Sequence, residues 1–413
     1  MFLVQDIWLQ RPSGNLTTKT AKMYNKRLIF GASGVGMLLF GISLITLGSI
    51  APDLQEKLKL DGIASGTLFS ILPLGILTGS LLFGPVADKY GYKLLMGISC
   101  LFMFVGFEGI AFIQSQHLLR ICVLLFGFGG GAINGATNAL VSDISDTNKG
   151  ASLSLLGAFF GIGALGMPLI SGLLKTQYGF EVILAAVGAI TLVAGILFLL
   201  IRYPLPKQPH GFPFAGSVKM LKDSVLIIIA FFLFLQSSFE GILNNWTTTF
   251  LINNISISQS KALYALSSFV FGMTVMRLLL GTLLRSVTIT RILSYSFVLI
   301  LAGVVLLRSA NNFNMAVAGL ILTGAGLAGG FPIMLGIVGN RYKELSGTAF
   351  SFVLVIGLIG NMIVNFMMGY IAQKFGIQHL TTVAFTELFA MVLLFVILLN
   401  RIKNNEKRET INE

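Results

Sequence analysis

The sequence predicts an all-α membrane protein of twelve transmembrane helices, arranged as two six-helix repeats. Three observations carry that prediction: a strongly apolar composition, twelve apolar stretches of membrane-spanning length, and a glycine pattern that recurs between the halves. Of 413 residues, 55% are hydrophobic and only 11% charged, with a mean hydropathy of +0.87. Ordinary soluble domains carry roughly 25% charged residues. The 47 Gly agree, since Gly is more frequent in membrane helices than in soluble ones.

A span needs about 20 apolar residues. Such stretches run 28–50, 62–84, 94–113, 119–141, 151–174, 181–202, 225–252, 260–284, 291–308, 313–336, 346–370 and 379–400. Residues 1–27 form a basic tail with Arg11, Lys19, Lys22, Lys26 and Arg27. The tail lacks an apolar core ending in a small-residue cleavage site, so the first stretch is expected to be an uncleaved span. Between the sixth and seventh stretches, YPLPKQPHGFPFAGSVKMLKD (203–223) holds four prolines and several basic residues. The segment 203–224 therefore reads as a linker between a 28–202 half and a 225–400 half, with a 401–413 tail.

Orientation follows from the basic residues. With both termini in the cytoplasm, the inside segments carry 20 Lys and Arg and the outside loops 7, with Arg277 inside a span. Cytoplasmic loops carry the excess of Lys and Arg, so this orientation is the expected one. It makes a multi-pass protein of the cell membrane, the inner membrane in a bacterium. The net charge of +12 then reports topology, and no nucleic-acid partner is expected.

The halves are repeats. Displaced by 197 residues without a gap, nine glycines coincide: Gly75 with Gly272, Gly84 with Gly281, Gly106 with Gly303, Gly127 with Gly324, Gly129 with Gly326, Gly150 with Gly347, Gly163 with Gly360, Gly172 with Gly369 and Gly179 with Gly376. Fixed-period self-similarity marks a repeat architecture. Two six-span halves in parallel repeat are the plan of a transporter fold whose substrate site lies near the midplane, between the halves.

GPVADKYGYK (84–93), between the second and third spans, resembles the loop signature of the major facilitator superfamily: Gly84, then Asp88, then Lys89 and Lys93 flanking Gly91. Gly84 permits close helix approach. Asp88 suits the positive end of the helix beginning near Ser346, and the resemblance implies that this contact latches the outward-facing state. The second half has Arg285 where the repeat expects the aspartate, so one latch is expected.

A narrower resemblance covers most of the chain. The run GFGGGAINGATNALVSDISDTNKGASLSLLGAFFGIGALGMPLISG (127–172) is similar to the fourth and fifth spans of the fucose–proton symporter family. FEGILNNWTTTFL (239–251) resembles its seventh span and GAGLAGGFPIMLGIVGNRY (324–342) its tenth. The resemblance implies transport of hexoses or related sugars with protons or sodium. The chain departs from the family pattern in its first span, where 28–50 holds no acidic residue. GAINGATN likewise offers Asn134 and Asn138 without an acid.

In that fold the first, fourth, seventh and tenth spans line the cavity, and the third, sixth, ninth and twelfth lie outside. Glu240 then falls near the midplane of the seventh span, where a carboxylate in hydrocarbon costs about 3 kcal/mol or more. Gln236, Glu240 and Asn244 share one helical face at i, i+4, i+8. Glu240 either faces a wet cavity or forms a structural ion pair with Arg277 of the eighth span, and these two are the coupling candidates. Asn134, Asn138, Asn361 and Asn365 either hold substrate hydroxyls or bond between helices. Asn245 joins the substrate-binding set, and Trp246 either stacks on a sugar face or anchors at the outer interface. Glu108 and Glu387, on peripheral spans, are expected toward the outer surface.

The resemblance and these polar residues together point to a secondary active transporter. Its expected solute is small, neutral and polyhydroxylated, most simply a monosaccharide, imported with a proton or sodium ion by alternating access. A monomer in the lipid bilayer without a cofactor is expected. A drug or metabolite exporter of the same fold predicts an apolar aromatic pocket instead. A non-transporting receptor predicts a large soluble domain, and the tails here span only 1–27 and 401–413. No enzyme is expected, since His117, His210 and His379 fall in predicted loops and no metal-ligand spacing or phosphate loop occurs. Cys100 and Cys122, placed near opposite faces, are expected as free buried thiols.

Overall fold

The computed structural model describes residues 24–145, 149–175, 177–204, 223–342 and 346–412. The expected N-terminal tail and linker fall almost wholly outside these residues. Twelve helices among the described residues are long and apolar enough to cross a membrane. The first six run Lys26–Leu58, Gly62–Tyr90, Tyr92–Phe112, Gln116–Ile144, Lys149–Leu174 and Phe180–Leu200. The seventh to ninth run Ser224–Ile255, Gln259–Ser286 and Ile289–Arg308, and the last two Ser346–Phe375 and Leu380–Asn412. The tenth, expected as one helix over 313–336, is broken into Phe313–Leu327 and Gly330–Arg341.

Several helices outrun their apolar stretches. The 33 residues of the first rise about 50 Å at 1.5 Å per residue, against a hydrocarbon core of about 30 Å. Side-chain caps start many of them: Asn25 accepts from Arg27 N and Leu28 N, and Asp61 accepts from Ala64 N. Gly91, at φ 80°, ends the second helix and opens the third within one residue, a backbone conformation that strains an L side chain. The spans alternate in direction. One end of the bundle, here the linker side, therefore carries the start of the first helix, the end of the sixth, the start of the seventh and the end of the last, and the other is the far side.

The repeat seen in the sequence is a repeat of contacts. A Cβ on Gly75 would meet Leu124 O at 2.4 Å, and one on Gly272 would meet Ile321 O at 2.3 Å. Gly127 and Gly324 press on Leu72 O and Phe269 O, while Gly129 and Gly326 press on Ser99 O and Ser296 O. Each of these partners recurs at the same 197-residue displacement. Within the halves, span one packs on five as seven packs on eleven, and two packs on four as eight packs on ten. Between them, two meets eleven, five meets eight, and one meets seven, the exchange-symmetric pairing that a two-fold relation requires. Without a hydrophobic drive between helices in lipid, such glycine-mediated backbone approach supplies the association.

On the linker side Asp223 caps the seventh helix, accepting from Val225 N at 2.9 Å, from Arg341 Nε at 2.8 Å and from Tyr342 Oη. Burial pushes its carboxyl up, but the hydrogen bonds from Tyr342, Arg341 and Val225 outweigh burial and hold it below the ordinary aspartate value. Burial and the bond to Asp223 push the Tyr342 phenol up to about 12. A depressed carboxyl stabilises the fold above its unfolded pKa, and that contribution is lost as pH falls through the folded value. Asp223→Ala is expected to cost about 1–2 kcal/mol at neutral pH. Thermal unfolding in detergent should show the deficit shrinking as pH drops below the carboxylate range; a deficit independent of pH would contradict this account.

Candidate functional site

A cavity of about 450 Å³ lies between the halves. Glu240 enters it from halfway along the 32-residue seventh helix. Arg277 of the eighth span stands beside it, with Nη2 at 3.7 Å from Glu240 Oε2 and side chains 34% and 18% exposed respectively. That separation gives attraction without a formed hydrogen bond. Asn244, Asn245, Asn361 and Ser237 extend the polar wall from the second half, with Asn134 and Ser80 added by the first. Phe40, Phe83 and Phe160 of the first half, with Phe331 of the second, give the cavity its aromatic wall. The charges that line the cavity come from the second half alone: at the repeat positions of Glu240 and Arg277 stand Ser43 and Ser80.

Carboxamides hold one another in place along the polar wall. Asn361 Nδ2 donates to Ser237 O at 3.0 Å, Asn365 Nδ2 to Asn361 Oδ1 at 2.8 Å, and Asn245 Nδ2 to Asn365 Oδ1 at 3.1 Å. Asn138 supports Asn134 in the same i, i+4 manner, donating to Asn134 Oδ1 at 3.0 Å. Asn138 and Asn365 are thus positioned behind the cavity lining rather than in it. Asn244 Oδ1 and Asn245 Oδ1 are buried without a hydrogen-bond partner. An orphaned buried acceptor costs about 1–3 kcal/mol, and both residues are among those that line the cavity.

The face shared by Gln236, Glu240 and Asn244 is divided. Gln236 is 1% exposed and lies outside the cavity lining. Its Nε2 donates to Leu327 O at 2.6 Å, where the tenth helix breaks and its last carbonyls lose their helical donors. Gln236→Leu should therefore lower thermal stability by about 1–3 kcal/mol, with the cavity lining intact. A stability equal to wild type would show that the break needs no clamp.

Trp246 is also outside the cavity. It is 1% exposed and meets Phe69 of the second span edge-on, with centroids 5.0 Å apart, so it packs the seam between the halves. Glu387, expected toward the outer surface, is buried against the seventh span, where Ser238 Oγ donates to its Oε1. Cys100 and Cys122 are free and buried, but Cys100 lies in the middle of the third helix rather than near a face. His117 begins the fourth helix and His379 ends a short 3-10 turn, while His210 is outside the described residues. In the loop motif, the surroundings of Gly84 and the side chain of Asp88, with that of Ser346, also lie outside what the structure describes. Lys89 and Lys93 are exposed, and Gly91 makes the turn.

Among the described residues, hydrogen bonds between the halves lie on the far side of the cavity or level with it. Thr248 Oγ1 donates to Gly48 O at 2.7 Å, Gln259 Nε2 to Asp53 Oδ2 at 2.6 Å, and Ile63 N to Gln373 Oε1 at 3.0 Å. Lys175 pairs with the same Asp53. Nearer mid-depth, Ser70 Oγ donates to Met362 O at 2.6 Å. Toward the linker side the cavity is lined by Leu81, 54% exposed, and by Leu354. This is a far-side-closed arrangement.

The sequence profile described as Major Facilitator Superfamily matches residues 33–307 and 241–412. The uncharacterized transporter y4wD of Sinorhizobium fredii is 24% identical over 355 residues, covering 84% of this chain and 93% of that protein. The glucose/mannose transporter GlcP of Bacillus subtilis is 23% identical over 343 residues, covering 80% and 84%. Among solved structures, a mutant of the nucleoside transporter NupG shares the fold, with a TM-score of 0.76 at 20% identity over 91% of this chain and 99% of that one. Twelve spans, a six-plus-six repeat and a profile match running through both halves give one conclusion: the chain belongs to the Major Facilitator Superfamily of membrane transporters.

Proposed function

We propose that this protein is a secondary active transporter importing a small neutral polyhydroxylated solute, most simply a monosaccharide, by symport with a proton or sodium ion. The observation that carries the reading is the cavity's division into a polar and an aromatic wall. The Glu240 carboxylate and the carboxamides of Asn244, Asn245 and Asn361 supply hydrogen-bonding groups for hydroxyls. The rings of Phe40, Phe83 and Phe160 suit the apolar face of a sugar ring. A carboxylate at mid-membrane is tolerated when it faces a water-accessible cavity and pairs with a cation, as Glu240 does with Arg277. The GlcP relative, named as a glucose/mannose transporter, is in keeping with this solute class.

With the termini cytoplasmic, as the basic-residue count favours, the linker side is the cytoplasmic side and the arrangement is inward-facing. Alternating access then follows from rocking of the two repeats about the cavity. The aromatic wall favours a second reading, export of an amphipathic compound, and the carboxylate and carboxamides that line the cavity weigh against it. Uptake into proteoliposomes of a panel of labelled sugars, with and without imposed pH and sodium gradients, separates the two. Gradient-driven accumulation of one sugar is expected. Efflux of an amphipathic compound, with no sugar accumulated under either gradient, would overturn the proposal.

A further inference from the structure

We propose that an anionic phospholipid is seated between the eighth and ninth spans on the linker side, its phosphate at the start of the ninth helix and one acyl chain along the crevice above. The eighth and ninth spans scarcely touch, each packing instead on the first segment of the tenth. The gap they leave is an apolar cavity of about 230 Å³, lined among others by Leu280, Leu283, Ile292, Tyr295 and Leu299 and ending at Gly329 of the broken tenth span. Apolar cavities of about 150 Å³ already stay dry and take apolar ligands.

The shape and setting select an acyl chain as occupant. Tyr295 is 65% exposed, and Leu279 and Val298 beside the crevice are also exposed, so the opening faces the bilayer. From Ile289, where the ninth helix begins, to Leu299 the helix rises about 15 Å. That is the hydrocarbon depth of a single leaflet, half of about 30 Å.

The head of the crevice suits a phosphate. Thr288 stands at the N-cap of the ninth helix without a side-chain cap bond, so the first-turn N–H groups remain open to an anion. Arg291 is exposed and makes no hydrogen bond or ion pair among the described residues. Arg291, Tyr295 and Leu299 stand at i, i+4 and i+8, on one face of the helix. Guanidinium and helix N-terminus together recognise phosphate, and basic sites between membrane helices bind anionic headgroups. A free anion would use only this head, whereas the crevice commits the site to a lipid. The chain end would rest at Gly329, beside the break that Gln236 clamps from the opposite side.

The test is thermal unfolding of the purified full chain in detergent, titrated with dioleoyl phosphatidylglycerol or dioleoyl phosphatidylcholine. Phosphatidylglycerol is expected to raise the melting temperature saturably and at lower concentration than phosphatidylcholine. Arg291→Gln, an exposed substitution, should weaken the phosphatidylglycerol response about fivefold. Leu299→Trp, which fills the crevice, should abolish it. Native mass spectrometry of the wild type, counting retained phosphatidylglycerol, gives the same reading without any variant. Equal responses to the two lipids, an unchanged response in Arg291→Gln, or an equal shift from glycerol phosphate alone would each overturn the proposal.

Discussion

Gly48→Ala is expected to leave the protein folded and to deplete the arrangement described here. A Cβ on Gly48 would stand 1.9 Å from Asn244 O and 2.9 Å from Asn245 Cα. Both are backbone atoms, which no side-chain rotation moves aside. Thr248 also donates to Gly48 O at this point, so the seam is hydrogen-bonded as well as close-packed. The contact joins the first span to the seventh, one half to the other, and the proposed rocking of the halves requires it to part when the far side opens. Overpacking typically costs about 1–3 kcal/mol, and backbone against backbone lies at the upper end. A shift of that size changes the ratio of far-side-closed to far-side-open molecules by roughly ten- to a hundredfold. The control is a glycine equally tight but inside one half. Gly131 would put a Cβ 2.1 Å from Ile76 O, a contact that both arrangements share, so Gly131→Ala should lower stability without shifting the ratio. In a background lacking Cys100 and Cys122, a cysteine at Leu81 reports cavity access from the linker side. Its labelling should fall sharply with Gly48→Ala and stay unchanged with Gly131→Ala. Equal labelling in all three proteins would remove the seam from the mechanism.

Large parts of this organisation were legible in the sequence because they follow from one-dimensional signals. Apolar length fixes spans, and the coincidence of Gly75 with Gly272 or Gly127 with Gly324 anticipates contacts that recur at the same displacement. The neighbour relation of Glu240 and Arg277 was also legible, because a mid-membrane carboxylate demands a cation and the adjacent span carried one. Depth and azimuth were harder. Gln236 shares its helical face with Glu240, yet its partner is a carbonyl released by the break in the tenth span. A signal for that break was present: Gly329 and Gly330 precede Pro332, which has no N–H for the carbonyl of Ala328. Trp246 and Asn245 are adjacent in the chain, and only the packing of the second span decides that the indole meets Phe69. Glu387 was assigned outward because its span is peripheral; a peripheral helix still has one face against the bundle, and there Glu387 meets Ser238 of the seventh span. The loop motif around Asp88 remains a sequence argument, since its side chain is outside the described residues.

The cavity's two charges yield the prediction with the largest effect on transport. Glu240→Gln preserves shape and most hydrogen-bonding capacity while removing the charge and the ability to take up a proton. If Glu240 carries the coupling charge, the variant should fail to concentrate solute against a gradient while still exchanging it between equal pools. A purely solute-binding Glu240 should instead impair both assays, because a carboxylate accepts hydrogen bonds more strongly than an amide. The expected outcome is the first, with exchange retained, since Asn244, Asn245 and Asn361 still line the wall. Arg277 is then left without its counter-charge. Removing one partner of a fully buried pair costs roughly 3–5 kcal/mol, and the loss here should be smaller because Arg277 is 34% exposed to the cavity. The double variant Glu240→Gln, Arg277→Gln separates stability from coupling: it should regain the stability lost in the single variant and remain unable to accumulate solute. Should the double variant accumulate solute like wild type, each charge is present chiefly to neutralise the other, and coupling resides elsewhere. Should Glu240→Gln alone accumulate solute normally, Glu240 is neither the coupling group nor an essential ligand.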